Sequence, residues 1–186
     1  MPRYGLNPGT QFAPLVKDTK PVSYFSEHAR RNGAVGAFDW PIPKKGITAV
    51  DKFRTASRQW SRSIPVAFPR FVDVYKAAKV HESYGRIEDR RGATFRLTLQ
   101  KALASRARLV QIATWNDWGE GTVIEPSREY GFRDLEVVQS LRRKHIDPSF
   151  EPSAADLRLP RRLFDRRRRA PTEARANGGG LAPSPR

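Results

Sequence analysis

"RLVQIATWNDWGEGTVIEP", residues 108–126, begins as an apolar strand and ends as a polar turn. Along an extended strand the side chains alternate, so Gln111, Ala113, Trp115 and Asp117 share one face and Val110, Ile112 and Thr114 the other. Val110 and Ile112 suit packing under helices. Gly119 and Gly121 flank Glu120 and let the backbone turn sharply where the apolar run stops.

The elements around this strand alternate in kind. Downstream, 134–144 predicts a helix opened by Asp134 and striped by Leu135, Val138 and Leu141. Its last turn carries Arg142, Arg143 and Lys144, where the helix dipole favours cations. Upstream, Gly92 precedes a helix whose Phe95, Leu99, Ala102 and Leu103 recur at helical spacing. "SIPVAFPRF" (63–71) predicts a second strand, and "AVGAFDW" (34–40) a third. Between them a helix starts near Thr48, with Thr48 and Asp51 as its capping pair and Val50, Phe53, Ala56 and Trp60 as its apolar side. Strand, helix, strand, helix, strand, helix predicts an α/β fold with parallel strands and right-handed crossovers. In such folds active sites lie at the C-terminal ends of the strands, where "WNDWGEG" falls.

Residues 1–30, punctuated by four prolines, read as an irregular N-terminal segment, and 31–147 as the folded domain. From 148 to 186 the sequence turns to Arg, Pro, Ala and Gly and reads as a disordered basic tail. The whole chain carries 35 Lys and Arg against 19 Asp and Glu, a formal +16. Most of that excess lies before residue 151, so no single tail accounts for it. The charge suits phosphate, anionic surfaces or acidic polymers without choosing among them. No nucleic-acid module is present, so a specific nucleic-acid partner is not expected, and a basic nucleic-acid binder ranks last among the function classes.

Zero cysteines exclude a disulfide framework, thiolate metal sites and Cys nucleophiles. His28, His81 and His145 are scattered without metal-ligand spacing, and "GGG" (178–180) follows no strand; neither a metal nor another cofactor is expected. No apolar stretch approaches the roughly 18 residues of a membrane span, so no membrane partner is expected. No signal peptide opens the chain, which reads as cytoplasmic as written, with the compartment of any longer protein left open.

Two carboxylates on one turn can divide acid and base work if their surroundings push their pKa values apart, and an adjacent tryptophan supplies the apolar contact for that. Asp117 and Glu120 are the pair. The turn can hold them about 5–5.5 Å apart, for retention through a covalent intermediate, or roughly 6.5–9.5 Å apart, for inversion. The competing reading makes Trp115 and Trp118 core residues and the acids solvated or paired with Arg. Asp39 and Trp40, ending the first predicted strand, could line the same mouth.

"TWNDWGEGTVIEPSREYG" (114–131) resembles the signature near the C-terminus of the glycoside hydrolase family 71 and 99-like proteins, and the likeness runs upstream through "GATFRLTLQKALASRARLVQIATWNDW" and downstream through "DLEVVQSLRRKH". These are (β/α)8-barrel enzymes and relatives. The resemblance implies a TIM-like barrel of which this chain supplies a C-terminal part, about three βα units, with an N-terminal barrel portion lying elsewhere. It implies action on an α-linked polysaccharide or glycan, weak or absent in this chain alone. In family 99 endo-α-mannosidases a Trp-Asn-Glu segment is followed three residues later by a second glutamate. Carried over, Glu120 is the general acid and Asp117 the base or a substrate-positioning carboxylate. Asp for Glu at 117 is one methylene shorter and leaves the base role and stereochemistry open. Trp115, Asn116 and Trp118 are implied sugar contacts, and Glu125 binds either a hydroxyl or Arg128. A noncatalytic carbohydrate-binding relative is the alternative.

Overall fold

The computed structural model describes residues 24–25, 36–60 and 62–169, and the chain divides into two units, 1–150 and 151–186. The first unit is α/β. Its strands are β1 (Tyr24–Phe25), β2 (Gly36–Phe38), β3 (Arg62–Ile64), β4 (Val66–Ala67), β5 (Phe71–Val72), β6 (Arg86–Ile87) and β7 (Gln111–Ile112). Its helices are α1 (Thr48–Ala56), α2 (Ala93–Ala104) and α3 (Arg133–His145).

β1, β2 and β3 pair in parallel in that order, and β4 pairs in parallel with β7. Pro65 separates β3 from β4. It has no N–H to give a neighbour, but its carbonyl accepts from the Gln111 N–H at 3.0 Å, so the strand passes from β2 on one side to β7 on the other at this residue. Parallel strands that neighbour one another in chain order, with α1 between β2 and β3 and α2 between β4 and β7, fit part of a (β/α) barrel rather than the reversed order of a doubly wound sheet. Tyr24–Phe25 corrects the expectation that 1–30 is irregular throughout; the rest of that segment lies outside the described residues.

Both faces of β4 are buried, as a parallel strand requires. Ala67 packs with Phe95, Leu99 and Ala102 of α2 and with Val137 and Leu141 of α3, against which Val110 and Ile112 also rest, as their alternation predicts. Val66 and Phe68 point the other way, into a cluster with Val50, Phe71, Ile87 and Ala113. Where the chain leaves β4, both backbone groups of Phe68 are satisfied by one side chain of α2: the Thr98 hydroxyl accepts from its N–H at 3.1 Å and donates to its carbonyl at 2.8 Å.

The helices lie where periodicity places them, but their ends are built differently. α1 is preceded by Ile47 with no side-chain cap; Thr48 already lies inside the first turn and donates back to the Lys45 carbonyl at 2.5 Å. Asp51 does not close a capping box, because Lys101 of α2 takes both its oxygens, at 2.5 and 2.6 Å. Asp134 does not cap α3 either. It is buried and bound to Arg70.

Arg70, 1% exposed, follows Pro69 at the end of the β4 run. Its Nε donates to Asp89 Oδ1 at 3.2 Å, Nη1 to the Val123 carbonyl at 2.7 Å and Nη2 to Asp134 Oδ2. The guanidinium lies 3.6 Å from the Tyr130 ring centroid. Arg133 donates to Asp89 at 2.6 Å, so two cations face two carboxylates in a balanced network, buried at Arg70 and Asp134 and partly exposed at Asp89 and Arg133. After Arg70 the chain forms an antiparallel pair that the sequence reading did not foresee, β5 with β6, enclosing the 73–85 loop.

The second unit corrects another expectation. Residues 154–169, assigned by composition to a disordered tail, form helices α4 (Ala154–Leu157) and α5 (Leu159–Arg169), while 170–186 lie outside the described residues. A capping box starts α4, Ser153 Oγ accepting from Ala155 N–H and Asp156 Oδ2 accepting from Ser153 N–H. Arg is a good helix former, and Arg161 meets Asp165 at i,i+4.

Removing the Arg70 guanidinium while leaving its acids buried should cost about 3–5 kcal/mol. We expect Arg70→Met to lower unfolding stability by that order in urea titration. Arg70→Lys should not restore it, because an ammonium lacks the planar fork that reaches three acceptors.

Candidate functional site

Beyond Ile112 the extended alternation ends: Ala113 donates to the Ala67 carbonyl at 2.9 Å, and the chain then folds back on itself. Thr114 N–H donates to the Thr122 carbonyl and their hydroxyls lie 2.9 Å apart, closing the base of the 114–122 loop. Its tip is fastened to the strand leaving β5. Val72 N–H donates to the Glu120 carbonyl at 2.8 Å and Val74 N–H to the Gly119 carbonyl at 3.0 Å. Gly121 makes this approach possible. Its φ is +64°, and a Cβ there would stand 2.8 Å from the Val72 carbonyl oxygen.

Within the loop the two acids do different things. Asp117 Oδ1 accepts from the Glu120 backbone N–H at 3.0 Å, while its own N–H donates to Thr114 Oγ1. A short side chain accepting from the amide three residues on is the geometry of a capping Asp, so one oxygen of Asp117 serves the turn itself. Glu120 is half-buried, with Oε1 3.5 Å from the Tyr75 hydroxyl and Oε2 buried without a partner among the described residues. Burial pushes its pKa above the ordinary 4.5, the Asp117 charge pushes the same way, the Tyr75 hydrogen bond opposes, and Asp73 adds a further upward push. Tyr75 is raised in turn by burial and by the charges of Glu120 and Asp117. An acid whose pKa is raised, beside a second carboxyl group that caps the turn, is an arrangement able to give a proton to a leaving oxygen.

Trp115 and Trp118 are 51% and 54% exposed and lie outside the buried clusters, which removes the core reading of both. Asn116 is exposed, its carbonyl accepting from Trp118 N–H. Glu125 is half-buried and held through its N–H to the Trp115 carbonyl at 2.9 Å; among the described residues no ion pair joins it to Arg128. The loop therefore gathers Trp115, Asn116, Asp117, Trp118 and Glu120 on one exposed turn after β7, with Glu125 at its foot. Tyr75 and Asp73 reach it from the 73–85 loop. No spacing in the sequence announces them, since they lie more than 40 positions upstream of Glu120; only the paired backbones bring them in.

Asp39 does not join the pair. It ends β2, 1% exposed, with Oδ2 unpartnered among the described residues and its carbonyl accepting from the Gln111 side-chain amide. Its carboxyl is pushed up to about 7 by burial, opposed by a hydrogen bond from the Trp40 backbone, with no contribution from Asp117 or Glu120. Among the described residues no group of three or more His, Cys, Asp or Glu side chains is placed to hold a metal ion, and no helix is long and apolar enough to cross a membrane.

Residues 51–138 match the family model described as "Glycosyltransferase WbsX". The match runs from inside α1 to the first half of α3 and takes in the whole acid loop, and it supports the resemblance to the family 71/99-like proteins. None of the curated proteins matches the chain. Among solved structures the chain is similar to the GH99 endo-alpha-mannosidase from Bacteroides thetaiotaomicron, at 16% identity and TM-score 0.48, covering 67% of this chain and 43% of that one. It is similar also to the same enzyme in complex with BIS-TRIS-propane, at 17% identity and TM-score 0.48, over 68% and 46%. The chain spans less than half the length of either structure.

Gly121→Ala places a side chain in the left-handed region and against Val72, and should cost roughly 1–3 kcal/mol in denaturant unfolding. For Asp39, a folded-state pKa near 7 against the ordinary 3.8 gives stability that is fully present below pH 3.8 and lost as pH rises through 7. The wild-type urea midpoint should therefore fall between pH 4 and 8 more than that of Asp39→Asn, which stays neutral throughout.

Proposed function

We propose that the chain is part of a glycoside hydrolase-like (β/α) barrel that acts on α-linked polysaccharide or glycan at the turn after β7. Glu120 is the general acid toward the leaving oxygen. Asp117 is the base or substrate-positioning carboxylate, Trp115 and Trp118 contact sugar rings, and Asn116 and Glu125 bind hydroxyls. The observation that carries this is the half-buried Glu120 carboxyl, its pKa raised by burial and by Asp117, on an exposed aromatic turn at the C-terminal end of a parallel strand. Because Asp117 Oδ1 already serves the Glu120 amide, the positioning role fits this residue better than that of sole base.

The description "Glycosyltransferase WbsX" favours a second reading, in which the sugar passes to an acceptor hydroxyl instead of water. Both reactions need a proton at the departing oxygen and use the same pair. They differ in what enters the site. The chain holds about three βα units where a full barrel has eight, so we propose that activity in isolation is weak and that the remaining units complete the cleft.

Oligosaccharides of α-1,3-linked glucose and of α-linked mannose, incubated with the chain and followed by mass spectrometry, separate these possibilities. Free reducing ends indicate hydrolysis, and elongated acceptors indicate transfer. Either activity should fall by about 10²–10⁴-fold in Glu120→Gln. Turnover that survives this substitution would remove Glu120 from the chemistry, and binding without turnover in a completed barrel would establish a noncatalytic carbohydrate binder. Activity should decline as pH rises through the raised pKa of Glu120. Tyr75→Phe removes the hydrogen bond that lowers that pKa, so the alkaline limb of the pH–rate profile should move to higher pH.

A further inference from the structure

The 73–85 loop holds a feature the acid pair does not explain. Tyr75, His81 and Tyr84 pack against one another with ring centroids 4.4 Å apart for Tyr75–His81, 4.6 Å for His81–Tyr84 and 5.5 Å for Tyr75–Tyr84, the histidine tilted against both tyrosines and the two tyrosines edge to face. None of the three belongs to a buried cluster, and Tyr84 is 50% exposed. Core packing does not account for three aromatic rings gathered on a surface loop.

The loop is nevertheless firmly set. Asp73 Oδ2 accepts from Tyr84 N–H at 2.8 Å and from the Ser83 hydroxyl at 3.0 Å, so one carboxylate fixes the segment that carries Tyr84. Gly85, at φ +122°, lets the chain pass close to Pro43, where a Cβ would stand 3.1 Å from the proline ring. Inside the loop Val80 N–H donates to the Tyr75 carbonyl at 3.0 Å, turning His81 back toward Tyr75. At its other end the loop runs beside the acid turn through Val72 and Val74, and the Tyr75 hydroxyl reaches Glu120. The rings thus form a preset aromatic wall adjoining the carboxyl. Rigid aromatic faces cost little conformational entropy on binding and offer an apolar surface to a partly polar ligand.

We propose that Tyr84 and His81, braced by Tyr75, are a sugar-stacking platform for the pyranose ring next to the bond handled at Glu120. The platform sets which glycan is accepted. It presupposes that the site takes glycan.

The same two oligosaccharide series, titrated against the 186-residue chain by saturation-transfer NMR and calorimetry, test it. Tyr84→Ala and His81→Ala should each weaken binding about tenfold, the upper range for a lost aromatic contact. Tyr84→Phe and Tyr84→Trp, which keep a ring face, should bind within about threefold of wild type. Should an alanine variant lose its fold, as judged by circular dichroism, the two ring-retaining variants and Lys79→Ala on the same loop still decide the matter. Weakening of about tenfold in Tyr84→Trp and in Lys79→Ala alike would mean that the loop acts only through its backbone, overturning the platform. Binding that is unchanged in Tyr84→Ala overturns the platform and leaves the glycan function standing. Failure of the wild-type chain to bind either series overturns both.

Discussion

Burying a guanidinium is expensive unless every donor finds an acceptor, and at Arg70 that demand organises the first unit. The side chain lies just past a strand whose two faces are both packed, and the groups that satisfy it come from distant parts of the sequence. Asp89 comes from the turn before α2, Asp134 from the first turn of α3, Val123 from the segment returning out of the acid loop, and Tyr130 from the approach to α3. Each of these elements has its own apolar contacts, but hydrophobic contact is non-directional. The guanidinium fork is not, and it fixes where the N-terminus of α3 and the return limb of the loop stand relative to β4.

The same economy appears around the acid turn. Its position is held by main-chain hydrogen bonds to Val72 and Val74, and its internal shape by Thr114, Thr122 and the Asp117 cap. Little of that support comes from the groups that would touch a ligand. Trp115, Asn116 and Trp118 are left projecting, and Glu120 keeps one oxygen toward Tyr75 and one without a partner among the described residues.

Periodicity made α2 and α3 legible, because Phe95, Leu99 and Leu141 recur at helical spacing over a long enough span. Composition and order made the parallel strands legible, and the acid turn stood out as a polar cluster at a strand end. What was missed has common causes. A two-residue strand such as Arg86–Ile87 has no pattern to read, so β5 and β6 were invisible. Asp51 and Asp134 sit where capping acids sit, and only three-dimensional neighbours reveal that Lys101 and Arg70 claim them instead. Arg70 did leave a trace: a lone cation inside "VAFPRFV" must either leave the strand or be paired when buried. The exposure of the tryptophans was undecidable from sequence, since a Trp at a strand end is equally at home in a core. The Arg-rich helices of the second unit are masked in the sequence by low apolar content, although the capping box at Ser153 and the helix preference of arginine favour them.

Since the backbone holds the acid turn while the side chains remain available, the turn is a chassis on which chemistry can be exchanged. Lengthening Asp117 to glutamate would detach the cap from the Glu120 amide and free both oxygens for work outside the loop. The β5 edge would still hold the strand of residues that bears it. A turn built this way can exchange its projecting side chains one at a time while the main-chain bonds that hold it stay in place.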